Sequence, residues 1–278
     1  MNVSQAIGIF LNYHRVNSKK TTLRNHEFVL TRFCNQLGKR EPESITSDEI
    51  LSFLTKLTQG SKQSTKRLRY ALLRAFFNFI RNSIDPTFKN PCDTPIMRKL
   101  FRGEKLTHWK IIDKELIDEV IFRTVKVRNR LILELMARGG MRIGEVLNLT
   151  PRDIEDRKLT LADPKSGKEG EVVYIPHKVA ERLRAYITER GVGTDQRIFP
   201  ITYQAARTVV KKAGNLVGIH LTPHDLRRHA ATYASRSGTP LEIVSKVILR
   251  HANLSTTQLY LGKVTDAEAM RWIENLYG

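Results

Sequence analysis

The sequence predicts a mostly helical α+β protein of two units, an all-α N-terminal unit and a C-terminal unit whose helices carry a small antiparallel sheet. Three observations predict it. At 278 residues the chain exceeds what one hydrophobic core usually needs, so two units are expected. Apolar residues recur at helical spacing through the first third, with no strand-like alternation there. Further on, two short runs of strand character flank a turn rich in Pro, Asp and Gly, between segments that otherwise read as helix.

Helices are expected first over residues 4–15 and 20–37, the second aligning Leu23, Leu30, Phe33 and Leu37 and stopping at Gly38. Thr46 and Glu49 form a capping box that opens a short helix burying Ile50, Phe53, Leu54 and Leu57. A fourth helix, about 62–82, sets Leu68, Leu72, Ala75, Phe76 and Phe79 on one side. Its other side carries Lys62, Lys66, Arg67, Arg69, Arg74 and Arg81. Residues 1–85 therefore read as one helical unit. Pro86, Pro91 and Pro95 break helices and mark 86–104 as a linker, which leaves 105–278 as the second unit. There, Asp113 caps a helix through 125, and another over 128–138 ends at Gly139 and Gly140. Strands are expected over 157–162 and 171–175, around Asp163, Pro164, Lys165, Ser166 and Gly167. Helices at 177–190 and 203–217 follow, and Thr222 with Pro223 starts the next. Thr265 and Glu268 cap a last helix that aligns Met270, Ile273, Leu276 and Tyr277.

Charge narrows the partner. Lys and Arg number 47 against 28 Asp and Glu, giving a net charge of +19 and an isoelectric point near 10.1. Residues 1–104 hold 18 basic and 8 acidic side chains, and residues 105–278 hold 29 and 20. Both units are basic, unlike a neutral enzyme with a basic tail, so a two-jawed clamp on a polyanion such as duplex nucleic acid is implied. No apolar run reaches the length of a membrane span and no secretory signal opens the chain, so a cytoplasmic protein is expected. Cys34 and Cys92 sit in no CxxC pair or ligand cluster, which fits a reducing compartment without disulfides or structural zinc.

Candidate chemistry concentrates at residues 222–262. His224 and Arg227 stand one helical turn apart, His251 follows, and Tyr260 comes nine residues later. Arginine offers a planar fork to two phosphate oxygens, and histidine donates to them or moves a proton near neutral pH. A tyrosine beside them can serve as a nucleophile. Upstream, Arg142 follows the glycine break at 139–140, and Glu145, one turn on, is placed to hold that arginine or a histidine.

These stretches, HDLRR at 224–228 and LRHANLSTTQLY at 249–260, strongly resemble the C-terminal signature of the tyrosine recombinase (phage integrase) family. Gly140, Arg142 and Glu145, with Val146 for leucine, resemble its first signature. The resemblance implies that residues 1–85 are a SAM-like, core-binding helical domain lying on DNA, with Lys62, Lys66, Arg67, Arg69 and Arg74 among its contacts. It implies a catalytic set of Arg142, Lys165, His224, Arg227, His251 and Tyr260, supported by Glu145. Lys165 matches the hairpin lysine of the family, and Lys168 competes for that place. The sequence departs from the pattern at Arg228-His229, where His-Thr is common, and at Arg250, where Gly is common. His229 reads as structural.

The implied activity is cleavage and rejoining of DNA through a 3′-phosphotyrosyl intermediate. No metal and no ATP are expected, since neither a carboxylate cluster for Mg²⁺ nor a Walker glycine loop occurs. The implied partners are double-stranded DNA with inverted-repeat core sites, a tetramer tied by the C-terminal helix, and accessory directionality factors. An added arm-binding domain is not expected before residue 1. A type IB topoisomerase would share the chemistry, and a DNA-binding protein with a retired site would share the fold. The helical first unit favours recombination over the former, and the intact set of six residues argues against the latter.

Overall fold

A computed structural model of the chain describes residues 1–103, 111–161, 170–261 and 266–277. It divides into two compact units, Met1–Thr107 and His108–Gly278.

The first unit is all helix. Helices α1 (Val3–Asn17), α2 (Lys20–Leu37), α3 (Ser47–Leu57) and α4 (Gln63–Ser83) enclose one core that includes Phe10, Leu30, Phe33, Leu54, Leu73, Phe76 and Phe77. Phe33 meets two rings edge-on, 5.0 Å from Phe53 and 5.8 Å from Phe77, an arrangement the ring quadrupole favours. The Thr46/Glu49 box is present, with the Thr46 amide donating to the Glu49 carboxylate at 3.0 Å. An equivalent box, Asn2 with Gln5, opens α1.

Two expectations are corrected here. Residues 86–103, expected as a linker, pack onto this unit instead: Phe88, Cys92, Met97 and Phe101 are buried in its core. A short helix α5 (Pro95–Leu100) forms within them, with Pro95 in its first turn, where a missing N–H leaves no bond unmade. The prolines interrupt helix, but they do not release the chain. Second, Leu68 is 44% exposed, and α4 buries Tyr70, Leu73, Phe77 and Ile80 as well as Leu72 and Phe76. The Tyr70 hydroxyl donates to the Cys92 carbonyl at 2.9 Å, so the packing of the 86–103 segment turns the buried face of α4 away from Leu68.

The second unit is built around α7 (Val127–Ala137), in which Leu131 to Ala137 are all buried. A helix apolar on every side belongs in a core. Around it pack α6 (Lys114–Arg123), α8 (Ile143–Asn148), α9 (His177–Arg190), α10 (Tyr203–Asn215) and α11 (Pro223–Arg236). A three-stranded antiparallel sheet follows α8 in the order β1 (Ile154–Glu155), β2 (Lys158–Leu161), β3 (Glu171–Tyr174). Pairing of Leu159 with Val173 turns these side chains into the core. The two expected strands are therefore present, with β1 added; the turn at 163–167 lies outside the described residues. After α11 come a π-helix, Ile243–Ile248, not foreseen from the sequence, then α12 (Leu254–Leu261) and α13 (Asp266–Tyr277). On α13, Met270 and Ile273 are exposed. Among the described residues, no helix is long and apolar enough to cross a membrane.

Candidate functional site

The site is assembled from three chain segments of the second unit. The first is the turn between α7 and α8. Gly140 has a φ of +61°, a region where side chains with a Cβ are strained, and a Cβ there would stand 2.7 Å from the Ile248 carbonyl oxygen. This turn delivers Arg142 at the N-terminus of α8. Arg142 Nη1 donates to Glu145 Oε1 at 2.6 Å, and the Arg142 amide donates to Glu145 Oε2 at 2.8 Å. Glu145 therefore holds Arg142 by side chain and backbone together.

The second segment is α11. Its start is fixed by a Thr222/Asp225 box, in which the Thr222 amide donates to Asp225 at 2.9 Å, and Arg228 pairs with the same carboxylate at 2.9 Å. His224 lies exposed in the first turn. Arg227, one turn on, is the largest fully buried side chain among the described residues, 1% exposed. Its guanidinium donates to the carbonyls of Gly140 and Leu249, so it clamps the other two segments together. His229 is buried, with Nδ1 3.2 Å from the Ile112 carbonyl; that is a packing role.

The third segment is the end of the π-helix and the start of α12. His251 is half-buried, its amide donating to the Ser245 carbonyl at 2.9 Å. Its Nδ1 lies 3.0 Å from Thr257 Oγ1, which donates to Ser245 Oγ at 2.8 Å. Burial first, then the charges of Arg227, Arg142 and Arg250, push the imidazole down to about 4. Three guanidinium groups are thus near enough to His251 to bear on its protonation. Tyr260 lies on α12, one turn beyond Thr257.

Arg142, Arg227 and His251 are brought together in this way, with Glu145 behind Arg142. Lys165 and Lys168 lie outside the described residues. Sequence reading missed Ser245, Thr257 and the function of Arg250; hydroxyls this far apart in sequence carry no local signal. The Arg250 side chain is buried, 3% exposed, and Nη2 donates to Glu145 Oε2 at 2.6 Å. Burial works to raise the Glu145 carboxyl, yet the Arg250 charge and the Arg142 hydrogen bonds hold it below the ordinary carboxylate value.

In the first unit, α4 carries Lys62, Lys66 and Arg67 near its N-terminal end. The other three members of the expected basic stripe, Arg69, Arg74 and Arg81, have work inside the fold. Arg74 pairs with Asp93 at 2.8 Å, beside Arg98 at 2.7 Å and Arg81 at 3.8 Å. Arg69 lies 4.2 Å and Arg32 3.8 Å from the Phe28 ring centroid, within cation–π distance.

Residues 113–266 match the family model described as the phage integrase family, and residues 9–83 match that of the phage integrase N-terminal SAM-like domain. Over 297 residues the chain is 30% identical to the tyrosine recombinase XerA of Pyrococcus furiosus, covering 99% of this chain and 97% of that protein. It is 25% identical to XerA of Saccharolobus solfataricus over 253 residues, 88% of this chain and 83% of that one. Among solved structures, its fold resembles the Tn1549 transposon integrase in complex with transposon right end DNA, with a TM-score of 0.77 and 16% identity over 100% of both chains. It also resembles a lambda integrase dimer bound to a core site, with a TM-score of 0.72 and 16% identity over 96% of this chain and 81% of that chain.

Proposed function

The chain belongs to the phage integrase family of tyrosine recombinases, enzymes that break and rejoin DNA strands, and from that premise we propose that it is a site-specific recombinase working through a 3′-phosphotyrosyl intermediate on Tyr260. The observation that carries this reading is the convergence of Arg142, Arg227 and His251 from three segments into one cluster, with Tyr260 on the same helix as Thr257, the partner of His251. Such a cluster suits a phosphodiester whose non-bridging oxygens gain charge during displacement.

In the proposed step the Tyr260 phenol oxygen bonds to phosphorus while the bond from phosphorus to the 5′-oxygen breaks. His224 takes or relays the phenol proton, and Lys165, or Lys168 in its place, gives a proton to the departing oxygen. Arg142, Arg227 and His251 bind the phosphoryl oxygens, and Glu145 aims Arg142. The 5′-hydroxyl of a second strand then reverses the step and releases Tyr260. This chemistry calls on no metal ion and no ATP, because the protein's own cations supply the charge.

The substrate is double-stranded DNA with inverted-repeat core sites, gripped by both basic units. The first unit is the core-binding domain, contacting backbone through Lys62, Lys66 and Arg67, and residues 108–278 form the catalytic domain. Four copies, linked through α13, assemble on two duplexes, with accessory factors setting direction. Covalent trapping tests the reading. The wild type and Tyr260→Phe are incubated with DNA from the source organism and denatured, and the protein-linked DNA is sequenced. Wild type alone should hold DNA, at one inverted-repeat site; equal trapping by Tyr260→Phe would remove Tyr260 as the nucleophile.

A further inference from the structure

Arg250 occupies the place where the family resemblance leads one to expect glycine. Its φ is +50°, in the left-handed region that a side chain enters at a cost. The guanidinium is nonetheless buried, hydrogen-bonded through both Nη atoms and within ion-pair distance of a second carboxylate through Nε. Nη1 donates to the Ile248 carbonyl at 2.9 Å, Nη2 to Glu145 Oε2 at 2.6 Å, and Nε stands 3.6 Å from Glu171 Oε2. Glu145 is thereby bracketed by two arginines, Arg142 on Oε1 and Arg250 on Oε2. Glu171 is the first residue of β3, the strand that follows the segment bearing Lys165 and Lys168.

We propose that Arg250 is a positioning residue for strand transfer, acting through Glu145 to aim Arg142 at the scissile phosphate and through Glu171 to tie β3 to the segment that follows the π-helix. Two physical consequences of removing Arg250 carry this. Without Arg250, Glu145 keeps only its two bonds to Arg142 itself, the amide on Oε2 and Nη1 on Oε1, so the pair loses its tie to the 248–250 segment and can shift together; a misplacement of about 1 Å costs on the order of 100-fold in rate. In addition, Glu145 and Glu171 then keep two negative charges beside the phosphate-binding cluster with one cation fewer to offset them. A buried charge whose partner is removed is strongly unfavourable, and an anionic substrate suffers first.

The inference rests on the reading of Arg142 and His251 as phosphate ligands, and the test separates the two. Glycine suits the backbone conformation at 250, so Arg250→Gly removes the guanidinium without adding backbone strain. Wild type, Arg250→Gly, Arg250→Lys and Arg250→Gly combined with Glu171→Gln are compared on the duplex recovered by covalent trapping. Adduct formation is followed at saturating DNA, and duplex affinity and thermal midpoint are measured alongside. Arg250→Gly should bind duplex within about threefold of wild type and form adduct on the order of 100-fold more slowly. Adding Glu171→Gln should recover roughly tenfold of that loss, because it deletes one surplus charge, whereas Arg250→Lys, with one donor axis instead of a fork, should fall between.

A wild-type rate in Arg250→Gly overturns the proposal. So does a rate loss that follows the thermal midpoint and is untouched by Glu171→Gln. If wild type itself yields no adduct, the strand-transfer reading fails, and the Arg142 guanidinium N–H resonances of the DNA-free proteins decide the positioning claim. Their protection from solvent exchange should drop in Arg250→Gly; unchanged protection overturns it.

Discussion

At His251 the surroundings disfavour the imidazolium: burial, Arg227, Arg142 and Arg250 all push its pKa down, to about 4. A bound phosphodiester brings negative charge to the same cluster and must push it back up. The ring should therefore titrate near 4 in the DNA-free protein and at a higher pH with duplex bound, read from the ring C–H chemical shifts by NMR. A value unmoved by duplex would place the phosphate elsewhere. His26 sets a second, purely structural pH dependence. It is buried, 5.0 Å from the Phe10 ring and 4.7 Å from His14, and its Nδ1 has no hydrogen-bond partner among the described residues. Burial, and then His14, lower it from 6.5 to about 4. With the folded value depressed, the unfolded chain binds the proton first. Stability is whole above about 6.5 and is lost as pH falls towards 4, by at most on the order of 3 kcal/mol. His26→Phe should lessen that acid limb in denaturant titrations at pH 7 and pH 5 without weakening the fold at pH 7, leaving the part that His251 contributes.

At the scale of elements, the turn before α8 is the joint on which the site depends. Gly140→Ala meets both a φ of +61° and the Ile248 carbonyl 2.7 Å from the new Cβ. It should cost about 2–3 kcal/mol in unfolding free energy and reduce adduct formation, since the turn must shift and carries with it the residue-140 carbonyl that anchors Arg227. An unchanged denaturation midpoint would show that the turn yields more easily than its contacts imply. The same scale shows which features could be read from sequence. The Thr46/Glu49 box was legible because a cap is a bond between residues three apart, whereas at Thr222 only the helix start was read, from Pro223, and the Asp225 half of its box was not. The packing of 86–103 was not, because the prolines report local backbone preference while the burial of Phe88 and Met97 depends on α4, which they meet only in the folded unit. Arg250 was visible as a departure from glycine, yet its partner Glu145 lies 105 residues earlier, so its role was not readable from the sequence around it. The π-helix is illegible for the same reason: Ser245, fully buried, meets Thr257 across twelve positions.

Across the whole molecule, charge is the property that both units share. A net charge of +19 drives association with DNA through counterion release, so affinity should fall linearly on a log–log plot against salt. Not every arginine contributes equally to that slope. Arg74 spends its charge on Asp93, along with Arg98 and Arg81, whereas Lys62, Lys66 and Arg67 lie at the start of α4, away from that pairing. Two variants separate these roles. Lys62→Gln, Lys66→Gln and Arg67→Gln together should weaken binding to every duplex and lower the salt slope by roughly 0.9 for each phosphate contact removed. Arg74→Gln should leave the slope near wild type and instead lower the thermal midpoint, since it leaves Asp93 with one fewer donor on the segment that closes the first core. Anisotropy titrations of a labelled duplex between 50 and 300 mM salt, on the order of the range in which such contacts are lost, read both outcomes. If the triple variant keeps the wild-type slope while Arg74→Gln reduces it, the first unit meets DNA with the Arg74 side of α4, and the binding and folding charges exchange places.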